Sequence, residues 1–498
     1  MRRARPLFVT LLCLVPLAAA GCGSSGSGNS ASSPLDNALG YMPKSAPLIV
    51  EIDTDLNDSQ WQSLSANVQK FPFAGQVKSQ LKDAINSTGI NYDKDVKPLL
   101  GNEAVLGAPT VQATVGSSVQ FVGAIQVKDK GKLESLLNQE QDIAKDGKEG
   151  DAQLYKSKTD NSEVAIDGDV FVISDSKQQT VAAIQQRQRD DRFTEDQFNS
   201  SLSGTPSDAL TRVYVNIQAL LSGSPQTSNA LKVKWVNALR TAGFTASSQS
   251  DGISFDYNIK TDPSGLSDSD LPVASGDQSP PVSTKAGEVG IGLRGLDQTA
   301  HFIESVAQTV NPSGYAKFVR NKRKLDSQLG LDVDKDVIDQ LSGNTAISVS
   351  ANGHYAFRVE PKDPAGLSQT LAKLAKAPKS ALGGATITRV RNLYKLTGKA
   401  GKVYYYGVVN KVFVLSDDLG TLGQLATDTP QPVPDAKGAI VINADVGKLA
   451  SALIAKAAGG GLGGAFGGSL ATAPLGALTG WTSSSTNGLQ GHMKLAIK

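Results

Sequence analysis

The chain has 498 residues, 40% of them hydrophobic and 19% charged, with 49 Lys and Arg against 47 Asp and Glu. That balance lacks the clustered basic face a nucleic-acid binder needs, so nucleic acid is not an expected partner. The only two cysteines, Cys13 and Cys22, stand near the N-terminus, which excludes a disulfide framework, a thiolate zinc site or a cysteine nucleophile in the body of the protein.

The first residues read as an export signal and a leash. Arg2, Arg3 and Arg5 precede an apolar run from Leu7 to Ala20 that ends in Ala19-Ala20-Gly21-Cys22. A positive start, a short apolar core and small residues at the cut mark a secretory signal. As a helix the run would reach about 21 Å, short of a hydrocarbon core of about 30 Å. The ending resembles a bacterial lipobox, whose cysteine takes a diacylglyceryl group before cleavage, with Ala19 standing where leucine is usual. The expectation is a signal peptide over 1–21, cleavage between Gly21 and Cys22, and Cys22 carrying the acyl chains of a palmitate-bearing lipoprotein. Two or three chains anchor stably where one is marginal. A flexible Gly/Ser tether is expected over 22–38, its Gly23–Ser33 part reaching about 18 Å.

Leu48 to Ile52 has β character, and Asp53 to Asp58 supplies turn and N-cap residues. Trp61, Leu64 and Val68 fall at helical spacing; Phe73, Val77, Leu81 and Ile85 form a second stripe after Pro72. Strands follow at Ala104–Gly107 and Phe121–Val127, then a helix around Leu133–Leu137. Val164–Ile166 and Val170–Ile173 read as a hairpin whose Asp167-Gly168 suits a type I′ turn. The region 222–243 has the spacing of an amphipathic helix, with Val233, Val236 and Leu239. Another hairpin is expected to turn at Asp251-Gly252. The run 263–284, rich in Ser, Asp, Pro and Gly, reads as a linker.

Beyond the linker the pattern starts again. Val170-Phe171-Val172-Ile173-Ser174-Asp175 recurs as Val412-Phe413-Val414-Leu415-Ser416-Asp417, and Asp93-Lys94-Asp95-Val96 as Asp334-Lys335-Asp336-Val337. Leu99-Leu100-Gly101-Asn102 matches Leu341-Ser342-Gly343-Asn344, and the Asp251-Gly252 turn has its counterpart at Asn487-Gly488. The expected fold is α+β: two homologous tandem domains, 39–262 and 285–498, each a mainly antiparallel sheet with packed helices. The duplicated Asp-Lys-Asp-Val and Gly-Asn pattern behind a lipobox resembles the bacterial domain-of-unknown-function 3352 family. The resemblance implies an extracytoplasmic, duplicated α+β protein and transfers no catalytic residue.

Asp53, Asp55 and Asp58, and Asp332, Asp334 and Asp336, lack the glycine and glutamate of a calcium loop and read as caps. His301, His354 and His492 are scattered, and no nucleophile elbow, phosphate loop or zinc-helix motif occurs. No cofactor or metal is expected. Lys317, Arg320, Lys322, Arg323 and Lys324 form a basic helix face, a candidate contact for a membrane or partner. The uncharged stretch 457–481, with Phe466, Leu470, Leu475 and Leu478, reads as a mobile apolar loop or helix pair over a groove, lipid or partner.

The leading expectation is therefore a non-enzymatic binding or scaffolding protein, anchored by lipid on the extracytoplasmic face of the bacterial cell membrane and facing an unknown envelope protein or hydrophobic ligand. The alternative is a carrier or sensor of lipid or another hydrophobic envelope ligand; a weaker one is a carboxylate-dependent hydrolase. Oligomeric state is not set by the sequence.

Overall fold

The computed structural model describes residues 32–76, 79–80, 91–115, 120–140, 142–158, 162–223, 227–380, 382–457 and 472–498. Two units divide the chain: Met1–Pro225 with Arg240–Ile259, and Gln226–Leu239 with Lys260–Lys498. Residues 226–239, placed in the first domain by the sequence, thus cluster with unit 2.

Unit 1 starts where the Gly/Ser run stops. The Ser33 hydroxyl accepts the Asp36 amide at 3.0 Å, Pro34 fixes the first helical φ, and α1 (Pro34–Leu39) follows. Leu35, Ala38 and Leu39 are buried, so the last turn of the expected 22–38 tether is core. One turn of helix carries too few apolar positions to reveal a period, which is why the sequence hid it.

The strands of unit 1 are β1 (Leu48–Ile52), β2 (Ala104–Ala108), β3 (Val122–Gln126), β4 (Ile143–Glu149), β5 (Ala152–Ser157), β6 (Glu163–Asp167), β7 (Val170–Ser174), β8 (Thr211–Asn216), β9 (Leu239–Gln249) and β10 (Gly252–Thr261). They pair in the order β4-β5-β6-β7-β3-β2-β1-β8-β9-β10, antiparallel at every junction from β4 to β9. Every residue of β7 is buried, as a continuous apolar run inside a sheet requires. Helix α2 (Ser59–Gln69) opens on Asp58, whose carboxylate takes the Gln60 amide at 2.7 Å. Helix α3 (Lys130–Gln139) lays Leu133 and Leu137 over Ile125, Val164, Phe171 and Ile173. On the other face Val105, Ala124 and Val172 pack with Leu39, Ile184 of α4 (Lys177–Arg187) and Phe198 of α5 (Glu195–Ser201).

The Asp167–Val170 hairpin departs from its expected turn. Only Gly168 between them has a positive φ, 58°, so the turn is type II′ with glycine first. Type I′ is found instead in unit 2, where Val409 pairs with Val412 across Asn410 and Lys411, at φ 49° and 67°.

Next to the centre of the sheet β1 and β8 place Glu51 opposite Arg212. The guanidinium Nε donates to Glu51 Oε2 at 2.8 Å, Nη1 donates to Asn199 Oδ1 at 3.1 Å, and the group lies 5.2 Å from the Phe198 ring centroid. Burial pushes the Glu51 carboxyl up to about 7 against the pull of Arg212.

Unit 2 has β11 (Val289–Arg294), β12 (Asn344–Val349), β13 (Tyr355–Val359), β14 (Thr386–Val390), β15 (Leu393–Thr397), β16 (Val403–Val409), β17 (Val412–Ser416), β18 (Ile440–Asp445), β19 (Leu475–Ser485) and β20 (Gly488–Ile497). They pair antiparallel in the order β14-β15-β16-β17-β13-β12-β11-β18-β19-β20. Its helices include α6 (Leu296–Val310), α7 (Pro312–Leu329), α8 (Pro364–Leu374), α9 (Leu419–Thr427) and α10 (Val446–Ala457). Each unit is thus α+β with an antiparallel sheet.

Three expectations are corrected here. Leu475 and Leu478 belong to β19, not to a loop or helix: Leu478 stands opposite Ala444 of β18 and Leu495 of β20. Among the described residues, the region 222–243 holds a 3-10 turn at Ala230–Lys232 and a short helix at Lys234–Ala238, and Leu239 already opens β9. The run 263–284 is not a free linker. Leu271 and Ser283 are buried, and Val282 packs on Val433 and Val441. Glycines in β11 make the space: a Cβ on Gly290 would sit 2.4 Å from the Ser283 carbonyl oxygen, and one on Gly292 would sit 2.8 Å from that of Pro281.

The registers can be followed row by row. Ile173 pairs through Gly123, Leu106 and Val50 to Val213. Leu415 pairs through Phe357, Ile347 and Ile291 to Ile442. One residue along these rows, unit 1 has Glu51–Arg212 under α5, and unit 2 has Gly292–Val441 under the 280–283 crossing.

Candidate functional site

Side chains two apart on a strand share a face. On one face of unit 2, Ile347, Phe357, Leu415 and Tyr406 therefore form a row across β12, β13, β17 and β16, with Val349, Tyr355, Tyr404 and Leu396 as a second row beside it. Together they line an open groove of about 660 Å³. Helix α8 covers the same face next to it, where Leu367 and Leu371 join Tyr406, Val408 and Phe413 in one cluster.

The groove carries no charged side chain. Tyr406 is 6% exposed, its ring centroid lies 5.6 Å from that of Tyr394, and its buried hydroxyl has no hydrogen-bond partner. Burial pushes this phenol up to about 12, helped by Tyr394. Tyr355 also rises to about 12, through burial, its hydrogen bond with Tyr404 and the nearby Asp417 carboxylate. Both stay neutral at physiological pH. At the rim Asp417 accepts the Tyr355 amide at 3.0 Å and lies 3.3 Å from His354 Nδ1. Aromatic faces, hydrocarbon and one unmatched phenol make a surface suited to an apolar ligand.

At the same rows unit 1 carries smaller side chains. Gly123 stands at the position of Phe357, Ser157 at that of Leu396 and Ser162 at that of Tyr404. The sequence contained a sign of the groove in Tyr404-Tyr405-Tyr406, since alternation puts the first and third tyrosines on one face. Which face is left uncovered is set by tertiary packing.

A second cavity of unit 2, about 530 Å³, is lined by Lys285, Lys448 and Lys498 with Glu288 and Asp445. Lys448 pairs with Asp445 and Lys285 with Asp428, each at 3.1 Å, so two of the three cations are already matched.

Of the residues singled out by sequence, Gly21, Cys22, Phe466 and Leu470 lie outside the described residues, as do Val77, Leu81 and Ile85. The basic cluster is on α7, and it divides. Lys317, Arg320, Arg323 and Lys324 are exposed. Lys322 turns inward, with Nζ 2.6 Å from Asp334, 3.5 Å from Glu304 and 5.5 Å from the Phe318 ring centroid. Burial opposes its charge, but the bonds to Asp334 and Glu304 outweigh that and hold its pKa above the ordinary lysine value.

The acidic runs serve the backbone. Asp53 takes the Asp55 amide at 2.8 Å and Asp55 the Asn57 amide at 3.1 Å; Asp332 caps the turn Val333–Asp336 through the Lys335 amide at 3.1 Å. Among the described residues no group of His, Cys, Asp or Glu is arranged to hold a metal. Glu163, buried in β6, is pushed up to about 7 by burial and the neighbouring Asp146, but neither it nor Glu51 lines either cavity. No helix among the described residues is long and apolar enough to cross a membrane.

Among solved structures the chain is similar to TP0453. Crystal form III matches at 8% identity and a TM-score of 0.27, over 46% of this chain and 82% of that one. Form I matches at 10% identity and a TM-score of 0.26, over 45% and 78%. No curated protein matches. A family model described as "Protein of unknown function (DUF3352)" matches residues 7–390, well over half of the chain. The chain belongs to the DUF3352 family.

Proposed function

We propose that this protein is a non-enzymatic binding module, held by acylated Cys22 on the extracytoplasmic face of a bacterial cell membrane, and that the groove of unit 2 takes the acyl chain of an envelope lipid. The observation that carries the reading is the open, uncharged, aromatic-floored groove. A charged headgroup finds no partner inside it, whereas a hydrocarbon chain gains roughly 25 cal/mol for each Å² it removes from water. The small residues at the same rows of unit 1 make that unit the framework and unit 2 the binder.

We also read the two units as copies of one ancestral domain. The strand-pairing order of unit 1 recurs in unit 2, strand for strand, and the shared motifs keep their order along the chain. In that reading the groove arose after duplication, because Phe357, Leu396 and Tyr404 are bulkier than their counterparts Gly123, Ser157 and Ser162.

Two experiments test the proposal. Titration with a fluorescent acyl probe should give saturable binding, weakened at least about tenfold by Phe357→Ser combined with Tyr404→Ser, in line with the loss of two buried aromatic contacts. Unchanged affinity overturns the groove. For the anchor, Cys22→Ser should move the protein from the membrane fraction to the soluble one after washing at high salt; retention through that wash overturns the lipid tether.

A further inference from the structure

Helix α7, which carries the basic cluster, and its neighbour α6 expose apolar side chains to solvent. No residue of α6 or α7 is buried. On α6, Leu296, Ala300, Ile303, Ala307 and Val310 recur at spacings of three and four, one stripe along the helix. Its Ile303 is 60% exposed and Val310 41%; Phe318 on α7 is 48% exposed. In unit 1 the helix that follows the first strand behaves otherwise. There α2 buries Trp61 in a cluster with Leu56, Tyr92 and Val96.

Charge identifies what the stripe meets. Lys317, Arg320 and Lys324 lie along one face of α7, at i, i+3 and i+7, with Arg323 beside them. None of the four pairs with an acid among the described residues, whereas Lys322 is consumed by Asp334 and Glu304. Unmatched cations on α7 and the exposed Ile303 and Val310 of the neighbouring α6 describe a helix pair that lies in the plane of a lipid surface, with its charges at the headgroups. We infer that α6 and α7 form a reversible docking surface for anionic lipid. The inference does not rest on the groove or on acylation of Cys22, and it gives the protein a second contact that orients unit 2.

The test uses the chain from residue 22 onward with Cys22→Ser, which keeps every described residue and carries no acyl group. It should sediment with vesicles of equimolar phosphatidylglycerol and phosphatidylcholine, and not with phosphatidylcholine alone. Binding should fall as salt rises from low ionic strength to about 0.5 M. Changing Lys317, Arg320, Arg323 and Lys324 together to Gln should weaken it by more than about tenfold. Ile303→Ser with Val310→Ser should weaken it at unchanged thermal stability, because both side chains are exposed. Three results would overturn the inference: no binding to anionic vesicles at low salt, wild-type binding by the basic variant, or wild-type binding by the apolar variant. Binding to a polyglutamate chain but not to vesicles would also overturn it, by assigning the surface to an acidic protein.

Discussion

Replacing Arg212 with Met will lower the stability of unit 1 by about 3–5 kcal/mol at pH 8, the usual result of stranding one member of a buried ion pair. For a unit of this size that is a fall of roughly 10 °C in midpoint, readable by calorimetry. The deficit should shrink with acid. Glu51 titrates near 7 in the folded chain and near its ordinary value of about 4.3 when unfolded. The folded state therefore holds the proton more tightly, and its contribution is full below the unfolded value and lost as pH rises through the folded one. Without Arg212 the folded value rises further, so the variant weakens steadily from pH 5 to pH 8. Glu51→Leu added to Arg212→Met should remove that slope and restore most of the stability, because two apolar groups leave no charge buried alone. A double variant as weak as the single one would contradict this account.

Gly290→Val should be a strongly damaging change in unit 2. In an ordinary strand the exchange would help, since valine suits extended backbone better than glycine. Here the new Cβ would stand 2.4 Å from the Ser283 carbonyl oxygen, and the crossing segment must leave. With it go the hydrogen bond from the Ser283 hydroxyl to Asp428 and the packing of Val282 on Val441. Overpacking and an under-bonded buried carboxylate together should remove about 3 kcal/mol. Limited proteolysis should then cut within 276–285, where the parent chain resists. A variant as resistant as the parent would show that the segment does not depend on the glycine.

Much of the framework was legible in the sequence. Trp61 and Leu64 announced α2, Leu133 and Leu137 announced α3, and the two Val-Phe-Val runs announced β7 and β17. These segments bury one face or the whole strand, so their period or continuity survives in the letters. What was hidden is set by contacts distant in sequence. The 263–284 run looked unable to fold because its own apolar residues are few, yet Leu271 and Val282 are enough once Gly290 and Gly292 open a seat for them. Glycine-rich composition around 475–485 masked β19, whose place between β18 and β20 depends on partners rather than propensity. Of the site, the five cations were found as a group, but only a fold could divide four outward charges from the inward Lys322. The groove needed knowledge of how β12, β13, β16 and β17 pair.

The Glu51–Arg212 bond spans 161 residues, and this bears on the order in which unit 1 assembles. Strands β2 to β7 lie within one stretch of chain and can join β1 as soon as that stretch is available. The other edge of β1 must wait for β8, and closing so long a loop is slow. Until then Glu51 sits at an open sheet edge, where water keeps it ionised and its charge discourages pairing with a stranger. Arrival of Arg212 converts that guard into an internal bond. A carboxylate that adds little to the finished fold thus protects the unfinished one.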